Sequence, residues 1–373
     1  MAEWTRVTNT TINNHLRDEE ANIMRNRKLT AMLQGRGRVK YNCTGKGVDW
    51  RVRYKRAPLM GFGDADTLAF PRRNRWKTAE LDIRGYIAGE SATKKERLMN
   101  KGTEAIVKFF SELADTQRED FEDAFCDELY IDGEATGNTK RIHGFESFLK
   151  AGSNTINISG GAERSANAAD LVAAPSATYA GISTALGGIG GTWTGSFPSG
   201  TASVDQSFDS WSPLLVNWSS DGWAATSDTF AVTGKEAVRF LLQYSHRNKT
   251  KKGMMDLVML DRALYIDFLN LLDDNERFLS KQGSPTGSLM SFGFNDVVNF
   301  DGAEITSEYG MPSNTGFGIN IDHLQLLSWQ KQLFVAEGPD FDPGSQSYRM
   351  SIDFYGNLKA NPRFQGKLYN YAT

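Results

Sequence analysis

Histidine, cysteine and long apolar runs are scarce in this chain, and each scarcity excludes a class of chemistry. The four histidines, His15, His143, His246 and His323, never fall three or four residues apart, so no helical zinc pair is available. The two cysteines, Cys43 and Cys126, fit neither a metal spacing nor a disulfide framework and read as reduced thiols. No stretch approaches the ~20 apolar residues that a bilayer span needs. The start, Met1-Ala2-Glu3-Trp4-Thr5-Arg6, has no secretory core. Gly45-Lys46-Gly47 lacks the upstream glycine and the Ser/Thr of a phosphate loop, and no Gly-x-Ser-x-Gly elbow occurs. Asp64-Ala65-Asp66 opens like a calcium loop but has no acidic closing residue. The sequence therefore predicts no catalytic, cofactor-binding or metal-binding residue, no enzyme and no membrane association.

What is present is an ordinary globular composition with an uneven charge. Of 373 residues, 40% are hydrophobic and 23% charged, enough for two or three cores. Residues 1–101 carry 22 basic and 11 acidic side chains, whereas the remainder carries 20 and 34. Such a split suggests electrostatic complementarity between halves or between subunits, or a basic arm for nucleic acid. No helix-turn-helix, zinc finger or RNA-binding aromatic signature accompanies the arm.

Between Arg25 and Arg56 there are eleven basic residues and one acid, Asp49, with a possible helix around Glu20–Leu33. Val48–Lys55 and Trp76–Arg84 then alternate apolar and polar side chains, as antiparallel strands of a ribbon do. Residues 104–129 read as a long helix. Phe109, Phe110, Leu113, Phe121, Phe125 and Leu129 fall mostly at three- and four-residue steps. Eleven acids lie between Glu104 and Glu134. That face is either simply solvated or a docking surface for the basic arm. In the second reading Arg25, Arg27, Arg36 and Arg38 meet Glu119, Asp120, Glu122 and Asp123. Residues 152–210 hold ten glycines and one basic residue, Arg164, and read as loop or insertion. Beyond them, Thr233-Gly234-Lys235-Glu236 opens a helix as a capping box. Leu257–Leu260 reads as a strand and Asp261 as the cap of a second helix. More strands follow at Asp296–Phe300, Gly302–Thr306 and Gly316–Ile321. Finally Tyr348, Met350, Ile352 and Phe354 alternate with polar residues, and this last strand is expected to pair near Tyr130–Leu149.

This order resembles the tailed-bacteriophage major capsid protein family, the Hong Kong-type coat fold, over about residues 25 to 373. The resemblance rests on Glu80-Leu81-Asp82-Ile83-Arg84-Gly85, Leu129-Tyr130-Ile131-Asp132-Gly133 and His143-Gly144-Phe145-Glu146-Ser147-Phe148. Tyr179-Ala180-Gly181-Ile182, Asp256-Leu257-Val258-Met259, Gly293-Phe294-Asn295-Asp296 and the run Gly356–Arg363 continue it in order. It implies an α+β fold with an N-terminal arm (1–47) and an extended β-hairpin loop with its lead-in (48–103). A peripheral domain of spine helix and sheet (104–150 with 345–373) and an axial α/β domain (151–344) complete it.

The implied function is a coat protein that assembles through pentamers and hexamers into an icosahedral shell around double-stranded DNA. Its place is the virion, after synthesis in the host bacterial cytoplasm. Alternatives are a non-viral compartment of the same fold and a tail or receptor-binding component. Implied partners are copies of itself, separate scaffolding and portal proteins, and DNA contacted non-specifically; no cofactor is implied. A spine helix starting near residue 104 leaves no room for a long N-terminal scaffolding segment. Expected inter-subunit contacts on the extended loop are Trp50, Arg51, Arg53, Tyr54, Lys55, Trp76, Leu81 and Ile83. Lys55, Lys77, Asn357 and Asn361 are candidates, by region only, for the Lys–Asn crosslink of some relatives.

Overall fold

Alternation at Tyr348, Met350, Ile352 and Phe354 marks the fourteen-residue strand Ser347–Ala360, and one of the two larger sheets is organised around it. In this computed structural model the described residues are 27–54, 61–64, 66–67, 74–99, 103–156, 172–185, 189, 211–219, 229–246, 253–273, 288–289, 291, 293–294 and 296–370. Leu324–Ser328 and Val335–Asp342 pair antiparallel with the long strand, and so does Arg84–Thr93. Gly356 pairs with both Ser328 and Arg84, so these two neighbours occupy opposite edges. Val39–Lys40 adds a short parallel strand beside Leu324–Ser328.

The spine helix Thr103–Glu128 has 26 residues, so it runs about 39 Å along this sheet. Its apolar stripe buries Phe110, Ala114, Phe121 and Phe125. Phe125 meets Phe334 at 5.1 Å and Phe354 at 4.6 Å between ring centroids, both edge-on, the arrangement that aromatic quadrupoles favour.

The second sheet has eight strands, in the order Val298–Phe300, Ala303–Ser307, Leu257–Leu260, Gly316–Ile319, Gly366–Tyr369, Leu214–Asn217, Val172–Pro175 and Ala151–Ile156. Helices Phe230–His246 and Arg262–Asp273 pack with it around Val238, Leu241, Phe268 and Leu368. Between the sheets, residues 129–149 form turns and a short 3-10 turn, Phe145–Ser147. Phe145, Phe148 and Leu149 are fully buried there. This plug needs glycine at 144, because a Cβ would stand 2.5 Å from Leu129 O and 2.6 Å from Ile131 O.

Several expectations need correction. The long C-terminal strand pairs with Arg84–Thr93 rather than with 130–149, which contributes no strand. Exposed Gly89, Glu90 and Ser91 hide the amphipathicity of that partner. Residues 324–342, assigned by sequence to the axial part, supply two strands of the long-strand sheet. Conversely, Gly366–Tyr369 leaves that sheet for the eight-stranded one, where Leu368 is buried beneath the helices. Helix Phe230–His246 starts before the capping box. Thr233 lies in its first turn and donates its hydroxyl to Trp218 O and Thr229 O. Of the helix expected around Glu20–Leu33, residues 20–26 lie outside the described residues, and Lys28–Gly35 is helical. Most of the glycine-rich stretch 152–210 lies outside the described residues.

The Phe354 ring fills the junction of spine helix and sheet. Phe354→Ala is expected to destabilise the chain by roughly 3–5 kcal/mol, measured by denaturant unfolding.

Candidate inter-subunit surfaces and the joints that hold them

The ribbon forms as its alternation dictates. Gly47–Arg53 pairs antiparallel with Trp76–Asp82, placing Val48 opposite Leu81 and Trp50 opposite Ala79. One side of it is covered by the chain itself. Val52, Ala79 and Leu81 are buried in the main core, and the Trp50 ring lies 6.5 Å from Tyr179. The Lys359 ammonium stands 4.9 Å from the centre of the Trp50 ring, and Glu80 N–H donates to Ala180 O.

Leu81 is therefore a core residue, not a contact for another chain. Ile83 falls in the half-buried link between the ribbon strand and Arg84–Thr93, so the alternation read through Arg84 breaks there. Trp50 and Tyr54 are half-buried. Of the expected loop contacts, Arg51, Arg53 and Trp76 lie on the surface, with Trp76 50% exposed. Lys55 lies outside the described residues.

Asn357 fixes the ribbon to the body. It is fully buried, and its amide is used on every side. Nδ2 donates to Asp82 O, where the ribbon ends, at 2.8 Å and to His143 Nδ1 at 2.8 Å. Oδ1 accepts the N–H groups of His143 (3.0 Å) and Leu358 (2.9 Å). A donor facing His143 Nδ1 places the imidazole proton on Nε2, which then donates to Glu134 Oε1 at 3.0 Å. Burial, aided by nearby Arg84, holds the His143 pKa below its ordinary value despite Glu134. An amide so engaged is not available for a crosslink.

A second joint lies one turn away. Tyr86 Oη donates to Glu128 (2.7 Å) and accepts the Ile142 N–H (2.8 Å), while Arg141 Nε also donates to Glu128 (2.8 Å). Burial works against the Glu128 charge, but hydrogen bonds from Arg141 and Tyr86 outweigh it and hold the pKa below the ordinary value. Burial raises Tyr86 strongly, so it stays a donor.

The basic segment reaches the spine helix at one point, where Arg27 pairs with Asp123. Arg36 pairs with Asp256 (2.6 Å) and Arg38 with Asp322, not with the helix. The segment runs on past the helix end to the sheets, where those acids stand. Glu119 and Asp120 face solvent, Glu122 is buried, and Arg25 lies outside the described residues. The true acceptors are more than 200 residues away in sequence and carry no local signal. Sequence reasoning also missed an apolar surface on the outer face of the long-strand sheet, at Ile87 (68% exposed) and Tyr355 (44% exposed). Among the described residues, no three His, Cys, Asp or Glu side chains are grouped to hold a metal, and no helix is long and apolar enough to cross a membrane.

Asn357→Ala strands the buried His143 N–H and releases the ribbon's exit. At roughly 1–3 kcal/mol per lost buried partner, a loss of about 2–4 kcal/mol is expected in denaturant unfolding. Protonation of His143 at Nδ1 would remove the acceptor that Asn357 uses. Because its folded pKa is lowered, this contribution to stability is complete above about 6.5. It is lost as pH falls from there through the folded pKa, which titration of the unfolding midpoint checks.

No family model matches the sequence, and no curated protein does. Solved structures match it along nearly its whole length. The cyanophage A-1(L) capsid asymmetric unit aligns with a TM-score of 0.57 and 12% identity, covering 90% of this chain and 90% of that one. The capsid of the native GTA particle aligns with a TM-score of 0.52 and 11% identity, covering 91% and 90%. Over about nine-tenths of its length, this chain has the α+β fold of phage capsid proteins.

Proposed function

We propose that this chain is the major capsid protein of a tailed phage, assembling through pentamers and hexamers into an icosahedral shell around double-stranded DNA. The observation that carries this reading is the extent of the fold match, nine-tenths of both chains with a capsid structure. A shell subunit makes several different contacts that must close into rings. Obligate interfaces commonly bury over ~2,000 Å², an area that a ribbon standing off the body helps to supply.

The division of the ribbon supports the same role. Its base is sealed by Asn357 and Tyr179 of its own chain. Its outward face carries Arg51, Arg53 and Trp76 on the surface, while Val52 between the two arginines is buried with the inner face. The outer face around Ile87 and Tyr355 offers an apolar seat for a neighbour's ribbon. Glu337 stands on that face, and Asp353 in it is raised by burial, with Glu337 adding to the shift. Opposite charge there sets register and excludes wrong partners more than it adds affinity. Scaffolding and portal proteins would be separate chains, and the DNA contact non-specific.

Expression of the chain, alone and with its neighbouring genes, is expected to give closed particles in negative-stain microscopy that protect DNA from nuclease. Particles holding protein cargo and no DNA would instead identify a compartment, and a small soluble oligomer would overturn the shell reading. The variant Arg51→Glu is expected to abolish particles while changing the subunit's unfolding free energy by less than about 0.5 kcal/mol, as surface substitutions do. Undiminished particle yield would remove the ribbon from the contact.

A further inference from the structure

The segment from Arg27 to Lys40 binds three parts of the molecule together. Its helix Lys28–Gly35 buries Leu29, Met32 and Leu33 completely. Val39 and Lys40 join the long-strand sheet, while Arg36 and Lys28 reach Asp256 and Asp296 beside the eight-stranded one. At its start, Arg27 pairs with Asp123 on the spine helix. No other described segment is held by ion pairs to both sheets' surroundings and to the helix.

The seat beneath the start of this segment is rich in carboxyl groups. Glu308, 8% exposed, accepts the Leu29 N–H at 3.1 Å. From the spine helix and its end, Cys126 and the Tyr130 hydroxyl face it, and from the segment Arg27 and Lys28 do. Glu122, 6% exposed, faces Arg118, Glu119 and Arg27. Asp127 also lies in reach of Arg27 and Glu128. The Arg27 guanidinium is thus shared by Glu122, Asp123, Asp127 and Glu308, with buried Arg118 a second cation beside Glu122. Lys28 adds little to the balance, because its ammonium is taken by Asp296, by Thr306 Oγ1 at 2.8 Å and by Ser307 O at 2.6 Å.

We propose that residues 27–40 form a proton-dependent strap, seated while Glu308 and Glu122 carry protons and loosened when both ionise. Ionised together with Asp123 and Asp127, the two place more negative charge between strap, spine helix and eight-stranded sheet than Arg27 and Arg118 offset, with little water to solvate it. Neutral, Glu308 still accepts the Leu29 N–H at no charge penalty. Burial is the largest influence on both groups and pushes each up to about 7. A pKa raised by seating means that the seated state holds its protons more tightly than the released one. Seating is therefore strongest at low pH and is lost as pH rises through about 7. Released, the strap would no longer tie the two sheets to the helix. The inference concerns the single chain and stands apart from whether it builds a shell.

Hydrogen exchange of the purified full chain, read by mass spectrometry and corrected for the intrinsic rate at each pH, tests it. Between pH 6 and 8.5, protection of peptides spanning 28–40 is expected to fall on the order of tenfold for each titrating carboxyl, while the spine helix changes little. Glu308→Gln keeps the acceptor for Leu29 and should remove about half of the response on a logarithmic scale. Glu122→Gln/Glu308→Gln should flatten it. Asp296→Asn, which takes away a Lys28 partner, should lower protection at every pH and leave the pH response intact. Strap protection that does not change with pH in the natural chain would overturn the proposal. So would an undiminished response in Glu308→Gln, which can be read even if the double variant does not fold.

Discussion

A buried side-chain amide must have all its hydrogen bonds met or it destabilises the site it occupies, and much of this molecule is arranged around meeting those of Asn357. Its partners come from three places: the end of the ribbon at Asp82, the interlayer plug at His143, and the long strand itself. None of these can shift without leaving a buried donor or acceptor unmatched. The ribbon's direction is thereby fixed by the same group that anchors the plug, and the plug in turn is fixed to the spine helix through Tyr86, Glu128 and Arg141. Apolar packing alone would leave that direction soft, because hydrophobic contact is not directional.

Charge acts differently in the two halves of the fold. Among the described residues, the cations of 27–38 are spread over several elements: they pair with Asp123 on the spine helix and with Asp296, Asp256 and Asp322 beyond it. These pairs lie at the margins of the sheets, where partial exposure limits what each contributes to stability. Their value is positional: four cations on a short segment recognise four acids on separate elements. The hydrophobic side chains Leu29, Met32 and Leu33 supply the burial that holds the segment down.

Elements with a strong period were legible in the sequence. The spine helix expected at 104–129 is observed at Thr103–Glu128, and the ribbon strands and the last long strand appear where alternation placed them. Partner choice was not legible. Arg84–Thr93 carries Gly85, Gly89 and Ser91 on its exposed side, so it gives little apolar signal, yet it lies along ten residues of the long strand. The covering of the ribbon was equally hidden. Its lid is Tyr179 and Ala180, from a turn within a stretch whose composition reads as loop. The expectation that the apolar side of the ribbon lies bare followed from treating it as isolated, and the single buried Tyr179 hydroxyl, donating to Leu358 O, shows how its own chain closes over it. Ion-pair partners separated by hundreds of residues leave no trace in local pattern at all.

An inner face sealed by its own chain and an outward face carrying charge and an exposed tryptophan constitute a better device for association than a wholly bare ribbon would. Binding through a loose segment loses the entropy of ordering it, which subtracts directly from affinity. A bare apolar ribbon would also adhere to any exposed sheet edge, including in the wrong register. Sealing Val52, Ala79 and Leu81 removes the indiscriminate part of the surface, while the Asn357 joint sets the direction in advance. What is left for a partner to read is Arg51, Arg53 and Trp76, and charges in fixed positions discriminate better than apolar area does. The same logic explains why the polar joint is buried and not at the surface: in water its hydrogen bonds would be exchangeable and would fix nothing.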